Sequence, residues 1–111
     1  MSAHYELKPA KNDQFMFNLK AANGEIILTS ETYTTKAAAL NGIESVKKNS
    51  ALEEQYDRKK SASSAQPYFL LKAKNNEVIG RSETYSSEGA MEKGIESVKK
   101  NGPVASLNDI T

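Results

Sequence analysis

The sequence predicts an α+β domain in which two tandem strand–strand–strand–helix units share one sheet and one core about a pseudo-two-fold axis. Three observations carry this expectation. Ser30-Glu31-Thr32-Tyr33 and Gly42-Ile43-Glu44-Ser45-Val46-Lys47-Lys48-Asn49 return, at a constant offset of 52, as Ser82-Glu83-Thr84-Tyr85 and Gly94-Ile95-Glu96-Ser97-Val98-Lys99-Lys100-Asn101. Residues 14–49 align without a gap on 66–101, and 21 of 36 positions agree, which marks an internal duplication. Within each copy the apolar period changes from two to that of a helix just after the tyrosine. A unit of about 46 residues without metal or disulfide is small for independent stability, so two units merged around a common core are expected rather than two separate beads.

Tyr5-Glu6-Leu7-Lys8 alternates apolar and polar up to Pro9, a short strand. After a polar loop to Gln14, Phe15, Phe17, Leu19 and Ala21 fall on one face of a second strand, with Asn18 and Lys20 on the other. Asn23-Gly24 suits a two-residue hairpin turn, and Glu25–Thr32 is the partner strand. Thr34 or Thr35 can cap the helix that follows. Ala39, Gly42, Ile43 and Val46 form its apolar stripe. Lys47 and Lys48 complement the negative end of its dipole, and Asn49 is placed to close it in a left-handed conformation.

The second copy repeats each step: a strand over Tyr56–Lys60, a loop over Ser61–Gln66, and a strand over Pro67–Ala73 with Phe69, Leu71 and Ala73 inward. Asn75-Asn76 makes the turn, since asparagine also visits positive φ. Val78-Ile79-Gly80 then leads into the second Ser-Glu-Thr-Tyr, and Ser86 or Ser87 caps a helix striped by Met91, Gly94, Ile95 and Val98. Gly102-Pro103 ends it. The expected division is one domain, 1–111, with repeat one at 5–52, repeat two at 53–107 and a tail at 108–111.

Composition narrows the function classes. Fifteen basic against fourteen acidic residues argue against a strongly electrostatic nucleic-acid binder. Without cysteine there is no thiolate nucleophile, disulfide or cysteine metal site. His4, the single histidine, is expected near a frayed N-terminus and lacks partners at metal-ligand spacing. Residues 1–7 contain no apolar leader core, and no apolar run reaches membrane-span length, so a cytoplasmic protein without a membrane partner is expected. No phosphate-cradling glycine loop, nucleophile elbow or zinc helix motif is present.

The repeated polar residues are the candidates for a site. Glu31 with Tyr33, and Glu83 with Tyr85, could line two equivalent pockets and do acid–base work if their pKa values were shifted. The plainer reading is a strand end, with serine bonding the backbone and tyrosine packing on the helix start. Lys20 and Lys72, together with Lys47, Lys48, Lys99 and Lys100, could form a symmetric pair of anion or nucleic-acid patches, with Tyr68 available for stacking. Solvated charge is the plainer reading there. Gly42 and Gly94 cost about 1 kcal/mol each inside helices, which close approach of helix to sheet would explain.

The pattern F-x-L-K-A-x-N-x-E-x-I, then S-E-x-Y, then G-I-x-S-V-K-x-N resembles the YegP-like family of small bacterial proteins, over nearly the whole chain. The resemblance implies a single antiparallel sheet with two helices packed on it and with the C-terminal strands exchanged between units. Glu53–Lys60 would then serve both repeats, and Val104–Leu107 would be a strand. The two copies differ where Leu28 matches Gly80 and Phe15 matches Pro67. The family brings no activity, cofactor or catalytic residue to carry over. The expectation is a monomeric, non-catalytic binding or interaction module for a protein or a small anionic ligand. Nucleic-acid binding and Glu/Tyr catalysis are the alternatives.

Overall fold

Tyr5 and Leu7 are fully buried while Glu6 and Lys8 remain partly exposed, and that alternation defines the first strand, β1 (His4–Pro9). β2 (Phe15–Lys20) buries three consecutive residues, Phe17 to Leu19, and β3 (Ile26–Ser30) buries Ile27, Leu28 and Ser30, so neither alternates strictly. Helix α1 (Lys36–Asn49) follows, with Thr35 Oγ1 accepting from the Ala38 amide at 3.0 Å as its N-cap. The second copy supplies β4 (Tyr56–Lys60), β5 (Pro67–Lys72), β6 (Val78–Arg81), α2 (Glu88–Asn101, capped by Ser87) and β7 (Ser106–Asp109). This computed structural model describes residues 3–111, so the start of the segment read for a leader lies outside it. Among the described residues no helix is long and apolar enough to cross a membrane.

One sheet runs β4-β5-β6-β3-β2-β1-β7, and both helices pack on one face of it. The α+β architecture with a shared core is therefore as expected. Phe17, Leu19 and Leu28 meet Phe69 and Leu71 with Ile43, Val46, Ile95 and Val98 in a single cluster. Each large side chain so buried contributes about 1.5–3 kcal/mol. At the centre β3 pairs antiparallel with β6, Thr29 opposite Arg81, and these are equivalent positions in the two repeats. The pseudo-two-fold axis passes between them.

Symmetry fails at this axis for a steric reason. A Cβ added at Gly80 would lie 2.9 Å from Leu28 Cγ and 3.0 Å from the Thr29 carbonyl oxygen. Two leucines cannot occupy the equivalent sites, so one repeat keeps the side chain and the other gives it room. The helix ends meet near the axis as well, where Ser50 and Gly102 are both buried and a Cβ at 102 would overlap the Ser50 side chain.

The exchange of C-terminal strands is present, but the sheet is mixed. β4, which closes the first unit, pairs antiparallel with β5 of the second. β7, which closes the second, runs parallel to β1. The reason is that β1 fills, beside β2, the slot that β4 fills beside β5. The returning strand keeps its direction and is displaced one place outward. The Ile110 amide donating to the Leu7 carbonyl at 2.9 Å and a Lys36–Asp109 ion pair at 2.6 Å hold it there. The cover also explains why Leu7 is buried where its counterpart Arg58, on the uncovered strand, is exposed.

Three local expectations are corrected. His4 is not frayed, because it opens β1 and is paired on both sides, with Lys20 and Ser106. The first hairpin is not a two-residue turn: Ala21 and Glu25 close the loop, only Gly24 has positive φ (87°), and the register shifts at Leu19/Lys20. That is a type I turn followed by a left-handed residue, and Asn76 (φ 71°) plays the same part in repeat two. Asn49 stays helical, because its side chain donates to the Ser45 carbonyl at 2.8 Å instead of closing the helix with positive φ. Asn18, on the helix-free face, is nonetheless buried, walled between its cross-strand neighbours Glu6 and Thr29.

Candidate functional site

The two Ser-Glu-Thr-Tyr segments are strand ends that place a tyrosine. Ser30 Oγ accepts from the Phe17 amide at 2.9 Å and donates to the Glu31 carbonyl at 2.7 Å, and Ser82 does the same with Phe69 and Glu83. Tyr33 exchanges two backbone bonds with Phe15, at 2.7 and 2.8 Å. Pro67 has no N–H, so Tyr85 keeps only the bond to its carbonyl. Each ring then stacks on a core phenylalanine, Tyr33 on Phe17 at 6.3 Å and Tyr85 on Phe69 at 6.4 Å. The hydroxyls come to rest over Gly42 and Gly94, where a Cβ would overlap them. What these helical glycines admit first is a tyrosine, and at Gly42 the Phe17 ring of β2 is next, 3.1 Å from an added Cβ.

Beside Tyr33 runs a groove made by both repeats, and its equivalent lies across the pseudo-two-fold axis. Helix α1 of the first faces the β5–β6 turn of the second, so Tyr33, Asn41, Ser45, Asn75 and Glu77 line a hollow of about 210 Å³. One helical turn further along, Lys48, Asn49, Leu52 and Lys74 line a second of about 340 Å³. Across the axis α2 faces the β2–β3 turn, and Asn23, Lys93, Glu96, Ser97, Lys100 and Asn101 line about 480 Å³. In both turns the asparagine Oδ1 accepts from the glutamate amide two residues on, 3.0 Å for Asn23–Glu25 and 3.1 Å for Asn75–Glu77.

The glutamate expected beside Tyr33 is thus not the one that lines its groove. Glu31 and Glu83 are exposed, while Glu77 and Glu25 arrive from the other repeat. Burial, then the Glu31 and Glu77 carboxylates, push the Tyr33 phenol above its ordinary value. Tyr85 is raised by burial, Glu83 and Glu25. Asn-x-Glu recurs in both copies and could have marked the turns as candidates. Its pairing with the opposite tyrosine is a tertiary fact.

The lysines divide into three groups. On the helix-free face, Lys20 pairs with Glu6 at 3.0 Å and Lys72 with Asp57 at 3.1 Å. Lys47 lies 5.8 Å from the Tyr5 ring centroid and Lys99 equally far from Tyr56. Lys99 also joins Glu53 at 2.5 Å in a network with Arg58 and Glu92, and the Arg58 and Lys99 side chains hold the Glu53 carboxyl down to about 2. Lys48 and Lys100 are exposed in the grooves. Tyr68 lies beneath Arg81, 5.9 Å from its guanidinium carbon. No group of three acidic or histidine side chains is placed to hold a metal among the described residues.

A family model described as a domain of unknown function, DUF1508, matches twice, at residues 10–57 and 62–109. The UPF0339 protein YegP of Yersinia pestis is 57% identical over 97% of this chain and 96% of its own length. A UPF0339 protein of Shewanella oneidensis is 53% identical over the whole of both chains. Two solution NMR structures have the same fold. A Shewanella oneidensis UPF0339 protein superposes with a TM-score of 0.92 at 51% identity, over 100% of this chain and 93% of its own. The E. coli protein of unknown function yegP also gives 0.92, at 46% identity over 100% and 95%.

Proposed function

The chain belongs to the DUF1508 family, as a tandem pair of its units, and from that premise we propose that it is a small, monomeric, non-catalytic binding module. Its ligand-contacting surfaces are the two grooves between a helix of one repeat and a hairpin turn of the other. The observation that carries this reading is that Ser45 and Asn75, which line the first groove beside Tyr33 and Glu77, recur as Ser97 and Asn23 in the lining of the second, about the pseudo-two-fold axis. A raised phenol stays protonated near neutral pH, where it donates a hydrogen bond and makes a poor base. That favours binding over acid–base catalysis. Nucleic acid has less to stand on, since Lys20 and Lys72 are committed to carboxylates and Lys47 and Lys99 to tyrosine rings.

The test is a ¹H–¹⁵N NMR titration with pooled small metabolites. Saturable shifts at Ser45, Asn75, Asn23 and Ser97 support the grooves. Shifts confined to the helix-free face, at Tyr68, Lys72 and Arg81, overturn the assignment.

A further inference from the structure

Eight of the fifteen basic side chains form ion pairs among the described residues. Of the seven that do not, four are Lys48, Lys74, Lys93 and Lys100. All four are exposed, two of them in each groove. The distribution does not follow from the duplication. Lys48 and Lys100 are equivalent, but Lys74 stands where the other repeat has Ala22, and Lys93 stands where it has Asn41. Each groove has kept or acquired a second unpaired lysine at a different position. Duplication alone would have produced the same positions or none.

Resting on the groove reading, we infer that each groove binds a small oxyanion, a phosphate monoester or a dicarboxylate, between its two lysines. Lys48 and Lys74 hold one, Lys93 and Lys100 the other. Two lysines lining one hollow can supply charge-assisted hydrogen bonds to a multiply charged oxygen ligand. The helix C-termini beside the lysines would ordinarily repel an anion, but several of their terminal carbonyls already accept from backbone N–H groups. The Ser50 amide donates to Val46 and that of Leu52 to Asn49, and in the second helix Gly102 donates to Val98 and Ala105 to Asn101. The Tyr56 hydroxyl closes on the Ser50 carbonyl at 2.6 Å. Glu77 lines the hollow beside Tyr33 and not the one between Lys48 and Lys74, and Glu96, the acid in the second lining, lies 3.9 Å from Lys99. Hollows of a few hundred Å³ suit a small ligand.

The test is an NMR titration of the full chain with inorganic phosphate and, separately, with succinate, at fixed ionic strength. Lys48→Ala/Lys74→Ala should weaken the first groove about tenfold or more and leave the second responding, and Lys93→Ala/Lys100→Ala should do the converse. Lys8→Ala/Lys11→Ala removes equal charge outside the grooves and should change neither. A response to phosphate alone assigns a phosphoryl ligand, and a response to succinate alone a dicarboxylate. Equal loss in all three variants overturns the inference, because binding then follows net charge. Groove shifts with a neutral or cationic compound, but with neither anion, overturn it while leaving the groove reading standing. Saturable shifts only outside the grooves overturn both.

Discussion

The Tyr5 hydroxyl donates to the Gly102 carbonyl at 2.5 Å, joining the first strand of the chain to the end of its last helix, 97 residues away. Tyr56 makes the matching bond to Ser50. Each of these two edge-side tyrosines therefore caps a helix terminus, and each is the ring over which a lysine of the last helical turn lies. The bonds satisfy carbonyls that helices leave without an internal partner.

Replacing Tyr5 with phenylalanine should cost about 1–3 kcal/mol, because a buried carbonyl loses its donor while the ring packing is retained. Urea denaturation of Tyr5→Phe and Tyr56→Phe checks this. A cost near zero for both would mean that water reaches those helix ends.

Alanine is the better helix former, yet Gly42→Ala should destabilise, by about 1–3 kcal/mol, since its methyl overlaps the Tyr33 hydroxyl. In a Gly42→Ala/Tyr33→Leu double mutant the two costs should not add, because the shorter side chain vacates the space. Additive costs would place the strain elsewhere.

Gly80→Leu alone should be strongly destabilising, since it recreates the collision with Leu28. Transposing the pair, Leu28→Gly with Gly80→Leu, should recover most of the loss, because the two sites are related by the pseudo-two-fold axis. Thermal melts of the three variants decide the matter. No recovery would show that the environments of positions 28 and 80 differ.

Stability should fall at both extremes of pH through identifiable groups. Burial raises the Tyr5 and Tyr56 phenols above the ordinary value of about 10, so the folded state favours their protonated form. That contribution is complete below about pH 10 and is lost as the pH rises beyond it, when the unfolded chain ionises first. Glu53 has the opposite sign: its pKa of about 2 contributes stability above the unfolded value near 4.3, lost as the pH falls toward 2. Glu53 is well exposed, so the acid effect should be small and weakened by salt. Denaturation across pH with Tyr5→Phe and Glu53→Gln should flatten the alkaline and acid limbs respectively.

A fragment of residues 1–52 should not melt cooperatively as a monomer. It lacks β6, the only partner of β3 on that side, and the Gly102 carbonyl for Tyr5. Circular dichroism with light scattering on the fragment tests this. A stable, folded monomer would remove the ground for a shared core.

The duplication, the period change after each tyrosine, a helix cap within each of the pairs Thr34-Thr35 and Ser86-Ser87, and the buried stripes from Ala39 to Val46 and from Met91 to Val98 were all legible in the residues alone. These features act over a few positions, through rotamer preference, backbone capping and which side of an element meets water, so local sequence is enough to set them. The tertiary structure decided what those rules do not reach. It placed Glu77 rather than Glu31 in the groove of Tyr33, it settled Leu28 against Gly80, and it turned β7 parallel to β1. Each of these depends on two segments far apart in the chain competing for one space about a common axis. Excluded volume there is a property of the assembled pair, and neither copy carries it in its own residues.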